Sequence, residues 1–391
     1  MGKSTIRHSS PFSCDDFMKV IMVSPLAYPY VGGVESHVLE VSKRLMERNI
    51  EVEIYSTDPS GRFEEVTDLD GLIIRRFRSF APNGIYHFSK ELYSSLKDAR
   101  ADIVHSHDFK SFPMLAAALA KTQNGIPLVV TLHYGFTKVG KSIHTFYDSV
   151  FGRLILQRAD AVILVSPVEM NLISELRKVE EKIKFLPNGI PVKEISTYLS
   201  SKEFKNNGQP PLKILFVGRL EKKKGPHLLI EAFQRLTQLT SEDVELLIVG
   251  EGPFKQELES LVERRRLQDN VHMLGRVGAN RLYELYAQSH IFVLPSEFEA
   301  HSIAITEAIA FGLVPVVTNV GGNRLLVTNG SNGFLIRHPV EVDELSSVLF
   351  QLVENHDLRH AMSMKALEKA KSFDIDRTVK SLETLYRSLG D

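Results

Sequence analysis

Cysteine and tryptophan are scarce in this sequence of 391 residues, which contains one cysteine, Cys14, and no tryptophan. A single cysteine can form neither an internal disulfide nor a thiolate metal site, and it favours a reducing compartment. An excess of positive charge is missing too, because 47 Lys and Arg residues balance 48 Asp and Glu residues. This balance argues against general nucleic-acid binding, which normally needs a strongly basic face.

Long hydrophobic runs are also lacking. No apolar run approaches the roughly 20 residues that span a bilayer, and residues 1–17 lack the hydrophobic region of a signal peptide. We therefore expect a cytoplasmic protein whose residues 1–17 form a disordered leader. The pattern GxGxxG does not occur, which argues against a nicotinamide dinucleotide. No cluster of cysteines or carboxylates has metal-ligand spacing, so the sequence predicts no bound metal.

Apolar runs rich in β-branched residues alternate with helical segments in both halves of the chain. The first half contains MKVIMVS, VEIYST, LIIRRFR, DIVHSH, PLVVTLH and AVILVS, and continuous apolar runs of this kind are typical of a parallel sheet covered on both faces. The polar residues 193–211 lose this pattern, and it restarts at residue 212. The predicted fold class is α/β, with two Rossmann-like doubly wound domains, 18–192 and 212–372, facing a central cleft.

Two cations follow the first predicted strand of the second half, in VGRLEKKKG. Arg219 closes the strand at its carboxyl end, where open α/β sheets bind ligands. Lys224 lies at the far side of the short loop, beside the start of a helix. Such a pair suits a diphosphate with about two negative charges. We interpret Lys222 and Lys223 as solvated residues of the same loop.

A glycine pair, Gly32 and Gly33, precedes the first helix. A ligand could approach the backbone there and meet free N–H groups. Tight-turn geometry accounts for the pair equally well.

Histidines follow two strands of the first half. His105 and His107 lie on one face of a strand end, and His133 ends the next strand. A zinc site built from these three is conceivable, but hydrogen-bonded histidines near a cleft are more common. The carboxylates of Asp68 and Asp70 precede a strand instead of following one, and we discount them as a metal site.

The stretch PSEFEAHSIAITEAIAFG contains three glutamates, of which Glu299 and Glu307 interrupt an otherwise apolar run. Glu299 lies in the loop after a strand, and Glu307 lies in a helix predicted to start near Ser302 and to stop at Gly312. A carboxylate buried without partners costs several kcal/mol, so each glutamate needs hydrogen-bond donors. Hydroxyl groups of a ligand would provide them.

These segments together resemble the family-4 glycosyltransferases, which are retaining enzymes of the GT-B fold that use nucleotide-sugar donors. The matching segments run in order over nearly the whole chain: GGVESHV, HSHDF, TLHYG, LPNGI, VGRLEKKKG, VGEGP, VLPSEFEAHSIAITEAIAFGLVPVVTNVGG and NGFLI. Each is weak alone, but their order and spacing are highly specific. The opening GGVESHVLEVSKRLMERN is most similar to enzymes that attach N-acetylglucosamine to phosphatidylinositol and to their archaeal relatives.

The resemblance implies roles for the charged residues. Arg219 and Lys224 would bind the donor diphosphate and stabilise negative charge on the leaving group. Glu299 matches the first glutamate of the family's paired motif, which contacts hydroxyls of the transferred sugar. Glu307 matches the second, which typically holds both ribose hydroxyls. Arg219, Lys224 and Glu299 would thus act in catalysis as well as in binding.

The resemblance assigns further residues to the donor. N–H groups around His301, Ser302 and Ile303 would face the phosphates and the sugar. Gly33 would approach the diphosphate from the first domain. His133 would meet the donor sugar near the anomeric centre, and it therefore joins the implied catalytic residues.

The resemblance also implies how transfer proceeds. Retention in this family is usually described as front-face attack within a tight ion pair, with no metal and no cofactor besides the donor. Residues 373–391 would form a helix that packs back on the first domain, as GT-B chains commonly do.

The sequence departs from the family pattern at three places. The usual EGFG is EAHS, with Ala300, His301 and Ser302; Leu325 replaces a glutamate; and Pro191 replaces an acid. The side chains of EAHS narrow the loop and can alter the choice of sugar.

Donor and acceptor remain open between alternatives. A UDP-sugar such as UDP-N-acetylglucosamine or UDP-glucose is favoured over GDP-mannose, and the acceptor is a sugar or a lipid. A lipid acceptor would suit peripheral contact with the inner membrane face, to which LIIRRFRSF could contribute. The other functions considered are a nucleotide-sugar epimerase of the same architecture and a non-catalytic nucleotide-sugar-binding protein.

Overall fold

The computed structural model describes residues 17–30, 32–80, 86–133, 148–201 and 211–390. Cys14, nearly all of the predicted leader and residues 202–210 of the predicted linker lie outside them. The strands of this part of the chain are β1 Lys19–Ser24, β2 Glu51–Asp58, β3 Val66–Leu69, β4 Leu72–Arg78, β5 Ile103–His107, β6 Leu128–Thr131, β7 Ala161–Leu164, β8 Ile183–Phe185, β9 Leu212–Val217, β10 Val244–Val249, β11 Val271–Gly275, β12 Ile291–Leu294, β13 Val314–Thr318 and β14 Phe334–Ile336.

Helices connect most of these strands. They are α1 Gly33–Met46, α2 Lys90–Lys97, α3 Phe112–Asn124, α4 Arg153–Arg158, α5 Val192–Ser201, α6 Pro226–Leu239, α7 Lys255–Arg265, α8 Ala279–Gln288, α9 Ile303–Ala310, α10 Asn323–Leu326, α11 Val342–Glu354, α12 His356–Ala370 and α13 Ile375–Gly390. Among the described residues, no helix combines the length and the apolar character needed to cross a membrane.

The first sheet has eight strands in the order β3-β4-β2-β1-β5-β6-β7-β8. β3 is antiparallel to β4, whereas β1 is parallel to both β2 and β5, with Met22 opposite Ile54 and His105. The order reverses at β1, which is the point where doubly wound sheets receive ligands. The apolar residues of β1 are fully buried, as expected for a strand covered on both faces.

The second sheet has six strands in the order β11-β10-β9-β12-β13-β14. Every neighbouring pair is parallel. Ile291 to Leu294, the whole of β12, are at most 1% exposed, because helices cover both faces. The order reverses at β9, so the carboxyl ends of β9 and β12 form the switch point of this sheet.

The described chain divides into two compact units. The first lies within Met1–Val130, Leu154–Ala161 and Glu383–Asp391, and the second within Thr131–Arg153 and Val162–Leu382. The division differs from the sequence-predicted domains, because β8 and most of β7 continue the first sheet and yet are counted with the second unit. The first Rossmann-like sheet therefore extends beyond the first unit and includes β8.

Several elements differ from the sequence predictions, which did not include the short strands β8 and β14. Helix α5 occupies the first half of the predicted linker, because Val192, Ile195 and Leu199 recur at helical spacing and pack on the core of the second sheet. Strand β3 was not predicted and forms a hairpin with β4. In its turn Asp68 accepts a hydrogen bond from the Gly71 N–H at 2.7 Å, which accounts for this carboxylate structurally.

Candidate functional site

The loops that follow β9 and β12 carry most of the charged residues selected from the sequence. Arg219 lies two positions after β9, and Glu299 lies in the loop after β12. The two loops pack together at Gly225, where a Cβ atom would lie 2.3 Å from the carbonyl oxygen of Pro295. Gly225 also has φ of 71°. A residue with a side chain would therefore be strained and would push the two loops apart.

Lys224 and Glu299 form an ion pair across these loops. The Lys224 Nζ lies 2.6 Å from the Glu299 Oε1, which also accepts a hydrogen bond from the Ser296 hydroxyl at 2.7 Å. The Glu299 side chain is 9% exposed and that of Lys224 is 23% exposed. Because water screens such a pair less than a surface pair, its charges interact more strongly and hold each other in place.

Arg219 and Lys223 share a second carboxylate, that of Glu221, which sequence reasoning missed. The Arg219 Nη2 lies 3.1 Å from the Glu221 Oε1, and the Lys223 Nζ lies 3.0 Å from the Oε2. The Glu221 side chain is 8% exposed, whereas the Arg219 side chain is 74% exposed. The buried carboxylate therefore anchors a guanidinium that faces solvent. Lys223, predicted to be only a solvated residue, takes part in this cluster.

Helix α9 begins beside Glu299, as the sequence predicted. Ser302 is its N-cap residue and accepts a hydrogen bond from the Ile305 N–H at 3.4 Å. Ile303 is the first helical residue, and the N–H groups of this first turn have no acceptor within the helix. An anion placed there would be stabilised by these groups and by the helix dipole.

The backbone before α9 is held by close contacts. A Cβ atom at Gly321, which has φ of 51°, would lie 2.0 Å from the Glu299 carbonyl oxygen, and the Gly322 N–H donates to this oxygen at 2.8 Å. Gly321 therefore permits an approach that fixes the Glu299 backbone. Gly321 and Gly322 belong to the segment that ends in VGG, one of the segments that carry the family resemblance.

His301 stands where the family pattern has phenylalanine, and its side chain is buried. The ring centroid lies 5.3 Å from that of Phe373 in an edge-to-face contact. The His301 carbonyl accepts a hydrogen bond from the Asn188 side chain at 3.2 Å. His301 therefore supports the backbone at the start of α9 through packing.

Glu307 lies in the middle of α9 and is half-buried. Burial raises the pKa of its carboxyl from an ordinary 4.5 to about 7, although a hydrogen bond with Tyr286 opposes this rise. Tyr286 lies on α8 and is fully buried. Nothing in the sequence pattern connected Tyr286 to Glu307, because a buried tyrosine on an amphipathic helix is ordinary core.

His105 and His107, two of the histidines selected from the first half, lie in the first unit, on β5. The ring centroids of His105 and His107 are 4.2 Å apart, and that of His37 is 6.2 Å from His107. Burial lowers the pKa of His37 to about 4 and, with a contribution from His37, that of His105 to about 3. The His105 Nδ1 is hydrogen-bonded to the Tyr386 hydroxyl at 2.5 Å.

A metal site at these histidines finds no support. In the described part of the chain, no three or more His, Cys, Asp or Glu side chains are placed to hold a metal ion together. The partner of the His105 Nδ1 is a tyrosine, and burial keeps the ring neutral near neutral pH.

Gly33 and His133 lie beside strands of the first sheet. Gly33 is the exposed first residue of α1, which follows the N-cap Gly32. His133 follows β6 and has φ of 45°, an uncommon backbone conformation for histidine. Neither is among the residues that surround Lys224 and Glu299 in the contacts described above.

Comparison with known proteins identifies the family. The family described as "Glycosyltransferase Family 4" matches residues 31–194, and "Glycosyl transferases group 1" matches residues 199–369. An Escherichia coli UDP-Gal:alpha-D-GlcNAc-diphosphoundecaprenol alpha-1,3-galactosyltransferase is 30% identical over 311 residues, which is 75% of this chain and 77% of the relative. The chain belongs to glycosyltransferase family 4. The resemblance inferred from the sequence is thus confirmed.

Two further similarities extend this result. The gpi3 subunit of the Schizosaccharomyces pombe phosphatidylinositol N-acetylglucosaminyltransferase is 26% identical to this glycosyltransferase over 348 residues, covering 85% of this chain and 73% of the relative. The solved structure of Anabaena HepE in complex with UDP-glucose is 20% identical, with a TM-score of 0.73, and the match covers 95% of this chain and 100% of HepE. The structural match confirms the GT-B fold with two Rossmann-like sheets.

Proposed function

We propose that this glycosyltransferase moves a sugar from a UDP-sugar to a hydroxyl group of a sugar or lipid acceptor, with retention of anomeric configuration. The observation that carries this proposal is the Lys224–Glu299 ion pair, 2.6 Å long, at the switch point of the second sheet and beside the start of α9. It joins a cation suited to a diphosphate and a carboxylate suited to sugar hydroxyls. UDP is favoured because the E. coli relative and HepE are described with UDP-Gal and UDP-glucose.

The donor diphosphate is proposed to bind Arg219, Lys224 and the first-turn N–H groups of α9. As the bond between the anomeric carbon and the diphosphate oxygen breaks, negative charge grows on the leaving group, and these groups stabilise it. Two cations and a helix N-terminus provide this charge from the protein itself. We therefore propose that transfer uses neither a metal nor a further cofactor.

The two glutamates are proposed to position the rest of the donor. Glu299 accepts hydrogen bonds from sugar hydroxyls and keeps Lys224 oriented toward the diphosphate. Glu307 accepts hydrogen bonds from the ribose hydroxyls. His133 and Gly33 are proposed to meet the sugar and the diphosphate, as the family resemblance implies.

Retention is proposed to follow from attack on the face that the diphosphate leaves. The acceptor oxygen bonds to the anomeric carbon while its proton passes to an oxygen of the departing diphosphate. Atoms and charge then balance without an enzyme nucleophile. Anomeric analysis of the product by NMR tests this step, since an inverted product would contradict it.

A lipid acceptor is suggested by the names of two relatives, which include phosphatidylinositol and a diphosphoundecaprenol. We propose a cytoplasmic location with peripheral contact to the inner membrane face, since a chain with one cysteine fits a reducing compartment.

Incubation with UDP- and GDP-sugars tests the proposal, with and without phosphatidylinositol, polyprenyl-diphosphate sugars or free sugars. We expect release of UDP that depends on an acceptor. Epimer formation without an acceptor would support the epimerase, which the comparisons do not favour. Tight donor binding without turnover on any acceptor would support a binding protein.

A further inference from the structure

The two hydrogen-bond partners of the Glu299 side chain converge on one of its two carboxylate oxygens. The Lys224 Nζ lies 2.6 Å from the Oε1 atom, and the Ser296 hydroxyl donates to the same atom at 2.7 Å. Among the described residues none donates to the Oε2 atom, which keeps solvent-accessible surface. We propose that Ser296 is a positioning residue that, together with Lys224, occupies Oε1 and leaves Oε2 as the acceptor for a hydroxyl of the donor sugar. This inference rests on the proposed function.

The two oxygens of the Glu299 carboxylate have different capacities for a ligand. A carboxylate oxygen carries two lone pairs and can accept two hydrogen bonds. The ammonium group of Lys224 and the hydroxyl of Ser296 therefore fill Oε1, and a ligand can bind only at Oε2. Because an ionised carboxylate accepts hydrogen bonds and donates none, the group that meets Oε2 must be a donor. A hydroxyl of the transferred sugar meets this requirement.

Ser296 is itself held by buried hydrogen bonds. Its carbonyl oxygen accepts a hydrogen bond from the hydroxyl of Thr318, the last residue of β13, at 2.5 Å. The Thr318 carbonyl oxygen accepts a hydrogen bond from the side chain of Asn323, the first residue of α10, at 2.9 Å. All three residues are 0% exposed. The backbone that carries the Ser296 hydroxyl therefore cannot shift without breaking buried hydrogen bonds, each of which is costly to leave unmade.

This rigidity distinguishes Ser296 from Lys224 as a partner of Glu299. Lysine has a flexible four-carbon stem, so its ammonium group can follow a carboxylate that turns. Ser296 has a short side chain on an anchored backbone, and a turn of the carboxylate about its last side-chain bond would break the contact of Oε1 with it. Since the Gly322 N–H also holds the Glu299 carbonyl oxygen at 2.8 Å, Oε2 is oriented before a ligand arrives. A sugar hydroxyl that binds there then costs less side-chain freedom.

The Ser296→Ala variant tests the proposal because it removes only the hydroxyl oxygen. UDP-glucose, UDP-galactose and UDP-N-acetylglucosamine are titrated calorimetrically, and the one that wild type binds most tightly is compared with UDP, which has no sugar. In Ser296→Ala, affinity for the UDP-sugar should fall about fivefold, whereas affinity for UDP should change less than about twofold. Unchanged affinity for the UDP-sugar, or equal losses for the two ligands, would overturn the positioning role.

Ser289→Ala is the matched control for the loss of a buried serine hydrogen bond. Ser289 is 2% exposed and lies in the same unit, and its hydroxyl donates to the Leu285 carbonyl oxygen at 2.6 Å. Because this contact does not involve Glu299, affinity for both ligands should stay within about twofold of wild type. A loss of UDP-sugar affinity equal to that of Ser296→Ala would overturn the proposal, since general destabilisation would then explain both.

A double-mutant cycle tests whether Ser296 acts through Glu299. In the Glu299→Ala background, Ser296→Ala should cause no further loss of affinity for the UDP-sugar. An equal loss in both backgrounds would mean that the hydroxyl acts without the carboxylate, which contradicts a positioning role.

Thr318→Val tests the same contact without altering Ser296. It keeps a branched side chain and removes the hydroxyl that anchors the Ser296 backbone, so affinity for the UDP-sugar should fall about two- to threefold, again with affinity for UDP retained. If Ser296→Ala did not fold, this variant would decide the question, and unchanged affinity for the UDP-sugar would count against the proposal.

Failure of the proposed function would give a different result. If Glu299→Ala weakened the binding of the UDP-sugar and of UDP equally, Glu299 would not contact the sugar, and the inference would fall together with that assignment. If Glu299→Ala weakened the UDP-sugar more than UDP while Ser296→Ala changed neither, only the positioning role of Ser296 would fall.

Discussion

The carboxyl edges of the two sheets differ in how they hold polar side chains. At the second sheet, charged groups are paired, Lys224 with Glu299 and Arg219 with Glu221. At the first sheet, His105 lies buried beside His107, with Tyr386 as its partner, and burial keeps it neutral by lowering its pKa to about 3. One architecture thus supports a charged site in one unit and an uncharged polar cluster in the other.

The difference gives the two edges different electrostatic character. Paired charges suit a diphosphate, because the ligand's negative charge replaces or joins carboxylates that already compensate the cations. The imidazoles of β5 and the Tyr386 phenol are buried, and His105 is hydrogen-bonded to Tyr386, so this cluster contributes to the stability of the first unit. We therefore expect acid to destabilise the first unit and charge removal to impair the second.

The largest effect is expected from acidification of the first unit. The pKa of His37 is lowered by burial to about 4 from an ordinary 6.5, so its stabilising contribution is present above about pH 6.5 and is lost as the pH falls through about 4. Between about pH 7.5 and about pH 4.5, wild type should lose about 2–3 kcal/mol more unfolding free energy than His37→Gln. Urea denaturation across this range measures the difference, and parallel curves would contradict it.

Lys224→Ala should have the next largest effect. It removes the proposed charge-assisted contact to the diphosphate and leaves Glu299 without its cation, so donor affinity should fall roughly 30- to 100-fold. Lys222→Ala, which alters another lysine of the same loop, is the matched control and should change affinity less than about threefold. Calorimetric titration with UDP-glucose compares the two, and equal losses would mean that only the loop's overall charge matters.

Tyr386→Phe tests the neutral cluster. Losing the buried hydrogen bond to His105 should lower the unfolding free energy by about 1–2 kcal/mol. Tyr93→Phe removes an exposed hydrogen bond, 2.8 Å long, from Gln123 in the same unit, and should cost less than about 0.5 kcal/mol. Similar losses in both variants would show that burial adds nothing to the Tyr386 contact.

Glu221→Gln should have the smallest effect, and it tests whether the Arg219–Glu221 ion pair contributes to donor binding. If Glu221 orients Arg219, the variant should bind UDP-glucose about threefold more weakly. In the Arg219→Ala background, Glu221→Gln should leave the affinity for UDP-glucose unchanged. A double-mutant cycle of these two substitutions measures this. Tighter binding in Glu221→Gln would instead mean that Glu221 competes with the diphosphate for Arg219.

Local sequence patterns predicted the fold and the position of helix α9 well. Continuous apolar runs predicted most strands of both sheets, and the start of α9 near Ser302 and its stop before Gly312 are confirmed. Apolar runs and helix ends depend on residues that are close together in the sequence. The family assignment is also confirmed, whereas the roles of individual site residues remain predictions.

The partners of the site residues could not be predicted in this way. Tyr386 lies 281 positions from His105, so only the folded chain shows that the two meet. Tyr286 lies on a different helix from Glu307, at a position that has the pattern of ordinary core. Glu221 precedes three lysines, and its burial depends on how the loop folds back, which charge pattern does not show.

Helix α13 determines when the first unit can be completed during translation. Its final residues, Glu383 to Gly390, belong to the first unit and bring Tyr386 to β5. Translation produces His105 on β5 281 residues before Tyr386, so the first unit must wait, incomplete, until the residues between them have been made. The histidines of β5 receive this neighbour only then.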